Sequence, residues 1–284
     1  MRAHPSESCY RTPYHQIAGN SQRRQQTMIR EQKVEISVQT LAPLHIGGRD
    51  NPLTGMENAV ARIGERLVIP GPSLKGALRH QVEDYLIETY YDAKARRWLQ
   101  EQLALQPCMA SAGSVSREES ALVSVGKYRN TSAKGGDVRS GCVYPSEAGI
   151  CPACYLLGAQ GLTGFVRVSF LEANQQPDAL YSGRVDRAKG TIAHGTNRPY
   201  ELVREGTTFR GTLTVLLSDD VRGWTFGQPR RLEGNRTPDR WLESGEWNAE
   251  RILDELIIKR LQAIGIIGGY RSKGFGLIKV TVRS

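Results

Sequence analysis

No run of roughly 18 apolar residues occurs in the 284-residue chain, which sets aside a membrane-crossing helix. The first thirty residues, "MRAHPSESCYRTPYHQIAGNSQRRQQTMIR", lack the apolar centre of a secretory leader. They read instead as a mobile basic arm, residues 1–32, and the cytoplasm is the expected compartment. Cysteines are only five, an odd number, so a disulfide framework is not expected. No internal repeat of fixed period is present. What the chain has in excess is positive charge: the formal net charge is +9, which favours an acidic partner. Nucleic acid is the usual one, although charge alone also fits a membrane surface.

The segment "IPGPSLKGALR" (69–79) lacks the residue order of a Walker A loop, because Lys75 precedes Gly76 where the motif needs lysine after glycine. What is there is a Gly/Pro turn, Ser73 as the expected N-cap, and a helix to about Tyr91. Leu74, Ala77, Leu78, Val82, Tyr85 and Leu86 give it helical spacing. A helix start favours an anion, and Lys75 and Arg79 extend that positive end along one side. An ordinary capped helix with two solvated bases explains the same residues.

Elsewhere, "KVEISVQT" predicts a strand over Val34 to Thr40, and "NAVARIGERLVIPG" a hairpin about Gly64. Residues 164–173 and 207–219 read as further strands. "AERILDELIIKRLQAIGI" reads as a helix with Leu253, Leu256, Ile257, Leu261 and Ile264 on one face, and "GLIKVTV" as a closing strand. Residues 106–155 and 220–245 look like polar insertions, and 177–203 an extended basic excursion. The order of elements predicts an α+β domain over 33–284, with an antiparallel sheet and helices on one face, as in ferredoxin-like folds.

"CVYPSEAGICPAC" sets Cys142 ahead of the pair Cys151 and Cys154, whose two-residue gap lets two thiolates share one tetrahedral ion. Cys108 is the best fourth ligand, with His80 or His194 as substitutes. Structural zinc, unliganded thiols, and a thiol–disulfide pair at Cys151 and Cys154 all remain open on spacing alone.

Near the C-terminus, "GIIGGYRSKGFGLIKVTV" joins a helix to a strand through Gly265, Gly268, Gly269, Gly274 and Gly276, with Arg271 and Lys273 between them. Glycines allow close backbone approach, and exposed N–H groups beside cations can hold phosphate oxygens. Taken with "LHIGG", "IPGPSLKGALR" and "CPACYLLGA" in that order, this segment resembles the RAMP superfamily of CRISPR-associated proteins. More narrowly, it resembles the backbone subunit of type III effector complexes, over residues 33–283. The resemblance implies a ferredoxin-like, RNA-recognition-type palm and a thumb hairpin at 177–203 carrying Arg184, Arg187, Lys189 and Arg198. It implies a filament of copies along a guide RNA, with other effector subunits and a complementary target RNA as partners. His45, Gly47, Gly48, Ser73, Lys75, Arg79, Gly268, Gly269, Arg271 and Lys273 would line the guide backbone, leaving specificity to base pairing.

Cleaving relatives carry an aspartate between the first two motifs, in a segment resembling D-x-P-V-x-R. Here the choice falls between Asp50 and Glu57, either of which could hold Mg²⁺ or Mn²⁺ or help activate a ribose 2′-hydroxyl. A non-cleaving, architectural RNA-binding subunit is the alternative. A guide-processing ribonuclease using His45 and His194, and a thiol oxidoreductase, are further alternatives.

Overall fold

The computed structural model describes residues 28–48, 58–110, 114–132, 136–145, 149–194, 196, 198–232 and 237–283. The alternation in "KVEISVQT" becomes β1 (Ile29–Thr40), which buries Val34, Ile36 and Val38 on one face. It starts before the expected Val34, because the polar residues Arg30 to Lys33 still pair with a later strand, across a register shift between Arg30 and Glu31. A hairpin follows, β2 (Arg62–Ile63) and β3 (Arg66–Ile69), turned at Gly64 with φ +58°. Next comes α1 (Gly71–Tyr90), which buries Leu74, Leu78, Val82 and Leu86.

Ser73 is not the N-cap of α1. Pro70 holds that position without a side-chain cap, and Pro72 sits in the first turn, where its missing N–H is no loss. Ser73 instead donates its backbone N–H to the Pro70 carbonyl at 2.9 Å.

A small hairpin, β4 (Tyr91–Asp92) and β5 (Arg97–Trp98), leads into the first insertion. That segment holds α2 (Arg117–Ser124) and α3 (Pro152–Leu157), so it is more ordered than its polarity suggests. α2 starts with a capping box: Glu119 N–H donates to Ser116 Oγ, and Ser116 N–H to the Glu119 carboxylate. The single strand expected at 164–173 is broken into β6 (Val166–Val168) and β7 (Leu171–Ala173). At the break, Ser169 Oγ accepts from Thr212 N–H at 2.9 Å, and a Cβ at Gly211 would lie 2.8 Å from the Phe170 carbonyl.

The basic excursion is a hairpin. β8 (Asp178–Ser182) pairs with β11 (Arg198–Leu202), and β9 (Val185–Asp186) with β10 (Thr191–Ile192) further out. Then come β12 (Thr208–Asp219), β13 (Trp224–Thr225), α4 (249–262) and β14 (Ile278–Arg283).

The main sheet runs β14-β1-β12-β7-β3-β2, with β6 and β13 also on β12, and its named pairings are antiparallel. Taken as β1-α1-β7-β12-α4-β14, the chain places its last strand beside its first, as in β-α-β-β-α-β units. α1 packs against α3, β6 and α4, and α4 against β14, all in one core with the buried side of β1 and β12. The other side of the sheet presents Glu35, Ser37, Arg210, Thr212, Thr281 and Arg283 around a shallow groove.

The expected face of α4 is present, with Leu253 half-buried against the core, but its middle, Ile252–Ile258, is a π-helical stretch and Ile252 is buried as well. The polar stretch 220–245 nonetheless buries Trp224, Phe226, Trp241 and Leu242 in the main core. Its Arg230 is itself enclosed, donating twice to the Asp239 carboxylate at 2.8 and 2.7 Å. No helix among the described residues is long and apolar enough to cross a membrane.

Candidate functional site

The glycine-bearing turns meet where β1 ends and β14 begins. Gly269 N–H donates to the His45 carbonyl at 2.8 Å, and Gly276 N–H to the Pro43 carbonyl at 2.9 Å. Gly268 has φ +87°, and a Cβ there would lie 2.5 Å from the His45 carbonyl. Only glycine satisfies both the left-handed backbone and the contact. The base of the hairpin joins the same place. Leu44 and Val203 exchange backbone hydrogen bonds at 2.9 and 2.7 Å, and His45 Nδ1 donates to the Glu201 carbonyl at 2.8 Å. The buried Glu201 carboxylate accepts from Val60 N–H at 3.1 Å and pairs with Arg62.

Residues that the sequence did not single out complete this cluster. Tyr270 immediately precedes Arg271 in the glycine-rich loop and adopts a left-handed backbone at φ +55°, uncommon for a bulky side chain. Its ring packs on His45 at 4.9 Å and on Tyr200 at 5.4 Å, with Phe275 closing the group. Lys273 Nζ lies over the Tyr270 ring at 4.9 Å, and Arg271 Nε donates to the Gly268 carbonyl at 3.1 Å. The readable signal was the tyrosine inside "GGYRSKGFG". Tyr200 had none, because it comes in from β11. His45, Gly47, Gly48, Gly268, Gly269, Arg271 and Lys273 are thus brought to one locality.

Lys75 and Arg79 are found at a different one. Both line a pocket of about 490 Å³ with Cys142, Cys154, Gly158, Gln160, Thr163 and Arg167. The Lys75 amine is held below its ordinary value by partial burial and then by the nearby Arg79 charge. Arg79 does not present its guanidinium as an exposed phosphate contact. It donates to Cys154 Sγ from both terminal nitrogens at 3.5 and 3.6 Å, to the Gly158 carbonyl at 3.3 Å, and to Glu83 Oε1 at 3.4 Å.

Cys108, Cys142, Cys151 and Cys154 are all buried, with their four sulfurs within 4.8 Å of one another. Cys108 Sγ lies 3.4 Å from Cys154 Sγ and 3.7 Å from Cys151 Sγ. The edge of a tetrahedron with Zn–S near 2.3 Å is about 3.8 Å, so the set fits one zinc-sized ion. None of the four is in a disulfide. The Cys108 thiol is pushed up by hydrogen bonds to the Cys142, Cys151 and Cys154 sulfurs. His80 is exposed on α1 and no histidine joins the sulfur cluster among the described residues.

Asp50 and Glu57 lie outside the described residues, as does most of the 1–32 arm. Gly48 N–H donates to the Ala59 carbonyl at 2.8 Å, so the two residues flanking that segment are tied beside His45. Arg184, Arg187 and Lys189 are exposed in the outer part of the hairpin, and Arg198 pairs through its backbone with Ser182 where the β8–β11 ladder ends, away from the base.

A family model described as "RAMPs: RAMP superfamily" matches residues 37–279. Among solved structures, a chain described as "Type IV-B CRISPR Complex" is similar at 12% sequence identity and a TM-score of 0.46, over 89% of this chain and 90% of that chain. No curated protein matches the sequence.

Proposed function

The chain belongs to the RAMP superfamily, and on that premise we propose that it is a guide-RNA-binding backbone subunit of a CRISPR effector of the type III kind. One observation supports this reading above the others. Three separate turns, 44–48, 58–62 and 268–276, close on the base of one basic hairpin and hold Arg271 and Lys273 in one place. Such a surface suits a sugar–phosphate chain whose bases stay free to pair. In this reading the sheet is a ferredoxin-like palm, residues 177–203 are the thumb over a neighbouring copy, and the assembly works in the cytoplasm with other effector subunits.

Purified protein should bind single-stranded RNA with strong salt dependence. Replacing Arg271 and Lys273 together by glutamine should lower the slope of log K against log salt by about 1.4, at roughly 0.7 per lost phosphate contact. A slope unchanged by the double substitution would put the grip elsewhere.

Target cleavage is the finer part of the proposal. Asp50 or Glu57 would act from the segment whose flanks are tied at Gly48 and Ala59, with Mg²⁺ or Mn²⁺ supplying charge stabilisation and activation of the 2′-hydroxyl. Asp50→Ala and Glu57→Ala in the assembled guide complex test it: one should abolish cutting while target binding persists. Full cutting by both variants removes these residues from the chemistry, and a wild type that never cuts makes the subunit architectural. Guide processing by His45 has less support, since its Nδ1 is committed to the Glu201 carbonyl and its ring is packed against Tyr270.

The four cysteines are assigned a structural zinc. Four ligands from the protein leave no open position for catalysis. A redox pair would need only two sulfurs, whereas four converge.

A further inference from the structure

We propose that Arg79 is the outer partner of the four-cysteine metal centre, not a contact to RNA, and that through it the metal fixes the helix that carries Lys75. The proposal rests on the zinc reading of the cysteines and is independent of the RNA reading.

One divalent ion held by four thiolates carries two net negative charges, and burial makes an uncompensated charge costly. All four sulfurs are buried, so compensation must come from side chains that reach the cluster. Arg79 does so directly, with both terminal nitrogens on Cys154 Sγ at 3.5 and 3.6 Å. The same guanidinium reaches the Gly158 carbonyl, just beyond α3, at 3.3 Å. It therefore ties α1 to the helix that bears Cys154. Glu83, one turn further along α1, accepts from Arg79 at 3.4 Å and limits its freedom to swing away. The side chain is only 15% exposed.

A second arginine takes a complementary place. Arg129 donates to the carbonyls of Gln106 and Ala104 at 2.6 and 2.7 Å and of Gly149 at 3.2 Å, bracketing the segments that deliver Cys108 and Cys151. Two guanidinium groups thus stand about a centre with two excess negative charges. Lys75 differs from both. It lines the same pocket one helical turn before Arg79, and its amine stays free to meet an anion entering from solvent. Outer partners of this kind orient the ligands, and their loss typically reduces metal affinity about 10- to 100-fold.

The test compares full-length wild type with Arg79→Gln, Arg79→Lys and Lys75→Gln. Zinc content and the rate of zinc transfer to a coloured chelator are measured, with the thiolate-to-metal absorption of the cobalt-substituted protein and the salt slope of single-stranded RNA binding. Arg79→Gln should release zinc at least 10-fold faster and shift the cobalt–thiolate band, with no change in salt slope. Arg79→Lys keeps the charge without the two-pronged donor, should fall between, and serves if the glutamine variant does not fold. Lys75→Gln should leave release and spectrum unchanged while the slope falls by about 0.7. Unaltered release and spectrum in both Arg79 variants would overturn the proposal, as would a wild type that binds neither zinc nor cobalt through sulfur. A wild type that holds zinc but shows no salt-dependent RNA affinity would defeat the RNA reading and leave this proposal standing.

Discussion

Arg230 and Asp239 show how a single pair can organise a long polar stretch. Neither side chain is exposed, the two share a two-pronged ion pair, and the Arg230 guanidinium stacks 5.0 Å from the Tyr155 ring centre. Asp239→Ala would strand a buried cation, and should destabilise the protein by about 3–5 kcal/mol in urea titration. Gly268→Ala forces a left-handed alanine against the His45 carbonyl and should cost about 2 kcal/mol by the same measurement. It should weaken RNA binding as well, because the two loops separate. Glu83 gives a pH signature. Burial pushes its carboxyl up to about 8 from an ordinary 4.5, opposed by Arg79 and reinforced by Cys151; His80 and Tyr128 also face it. Between those values the folded chain holds a proton that the unfolded chain has released. The stability linked to the neutral carboxyl is therefore complete below about 4.5 and lost as pH rises through 8. Glu83→Gln, always neutral, should gain in melting temperature relative to wild type as pH goes from 5 to 9. An equal difference at both ends would show that the carboxyl titrates normally.

At the scale of elements, legibility followed from how local each cause was. The alternation of β1 and β12 and the apolar stripe of α1 lie in consecutive residues, so they could be read directly. The capping box of α2 was also there to read in "SREES", but weak apolar spacing around it hid the helix. The break between β6 and β7 was not legible, because it answers Gly211 and Thr212 far along the chain, and the π-helical stretch in α4 left no mark in the apolar spacing. The same holds for the burial of 220–245: nothing local says that Arg230 will meet Asp239 under three aromatic rings. At the candidate site, the spacing of Cys151 and Cys154 pointed to a shared ion, and the fold brings Cys108 and Cys142 to them. The contacts of Arg79 to Cys154 and Gly158 were not legible, because a motif gives spacing along a helix and not the partner across from it. The hairpin supplies the test at this scale. Its outer part, residues 183–193, contains no buried core residue, and Val185 and Ile192 are exposed. Replacing 183–197 by Asn-Gly, which joins the paired Ser182 and Arg198 directly, should move the melting temperature by less than about 3 °C. It should still abolish ordered arrays of the protein on guide RNA, as seen by electron microscopy. A large loss of stability would make the hairpin part of the core.

For the molecule as a whole, one core contains the sheet, both long helices and the four cysteines. With zinc on the four cysteines as proposed, its removal should therefore do more than loosen an appendage. Chelation should lower the melting temperature by several degrees and speed hydrogen exchange first in 106–155, with the β1–β12 pairing exchanging last. Exchange that accelerated evenly over the sheet would mean that the insertion does not unfold locally. α1, which carries Lys75 and Arg79, packs on α4, whose end leads into the glycine-rich loop.

The placement of β1 has a consequence for synthesis. Its two neighbours are β12 and β14, so its pairing partners are residues 208–219 and 278–283. During translation β1 leaves the ribosome before the sheet's other strands and then waits, both edges open, until β12 emerges. Its second edge is covered only once the final strand has emerged. A chain stalled before residue 278 would carry an uncovered strand with Val34, Ile36 and Val38 along it, a ready seed for aggregation and a natural client for chaperones.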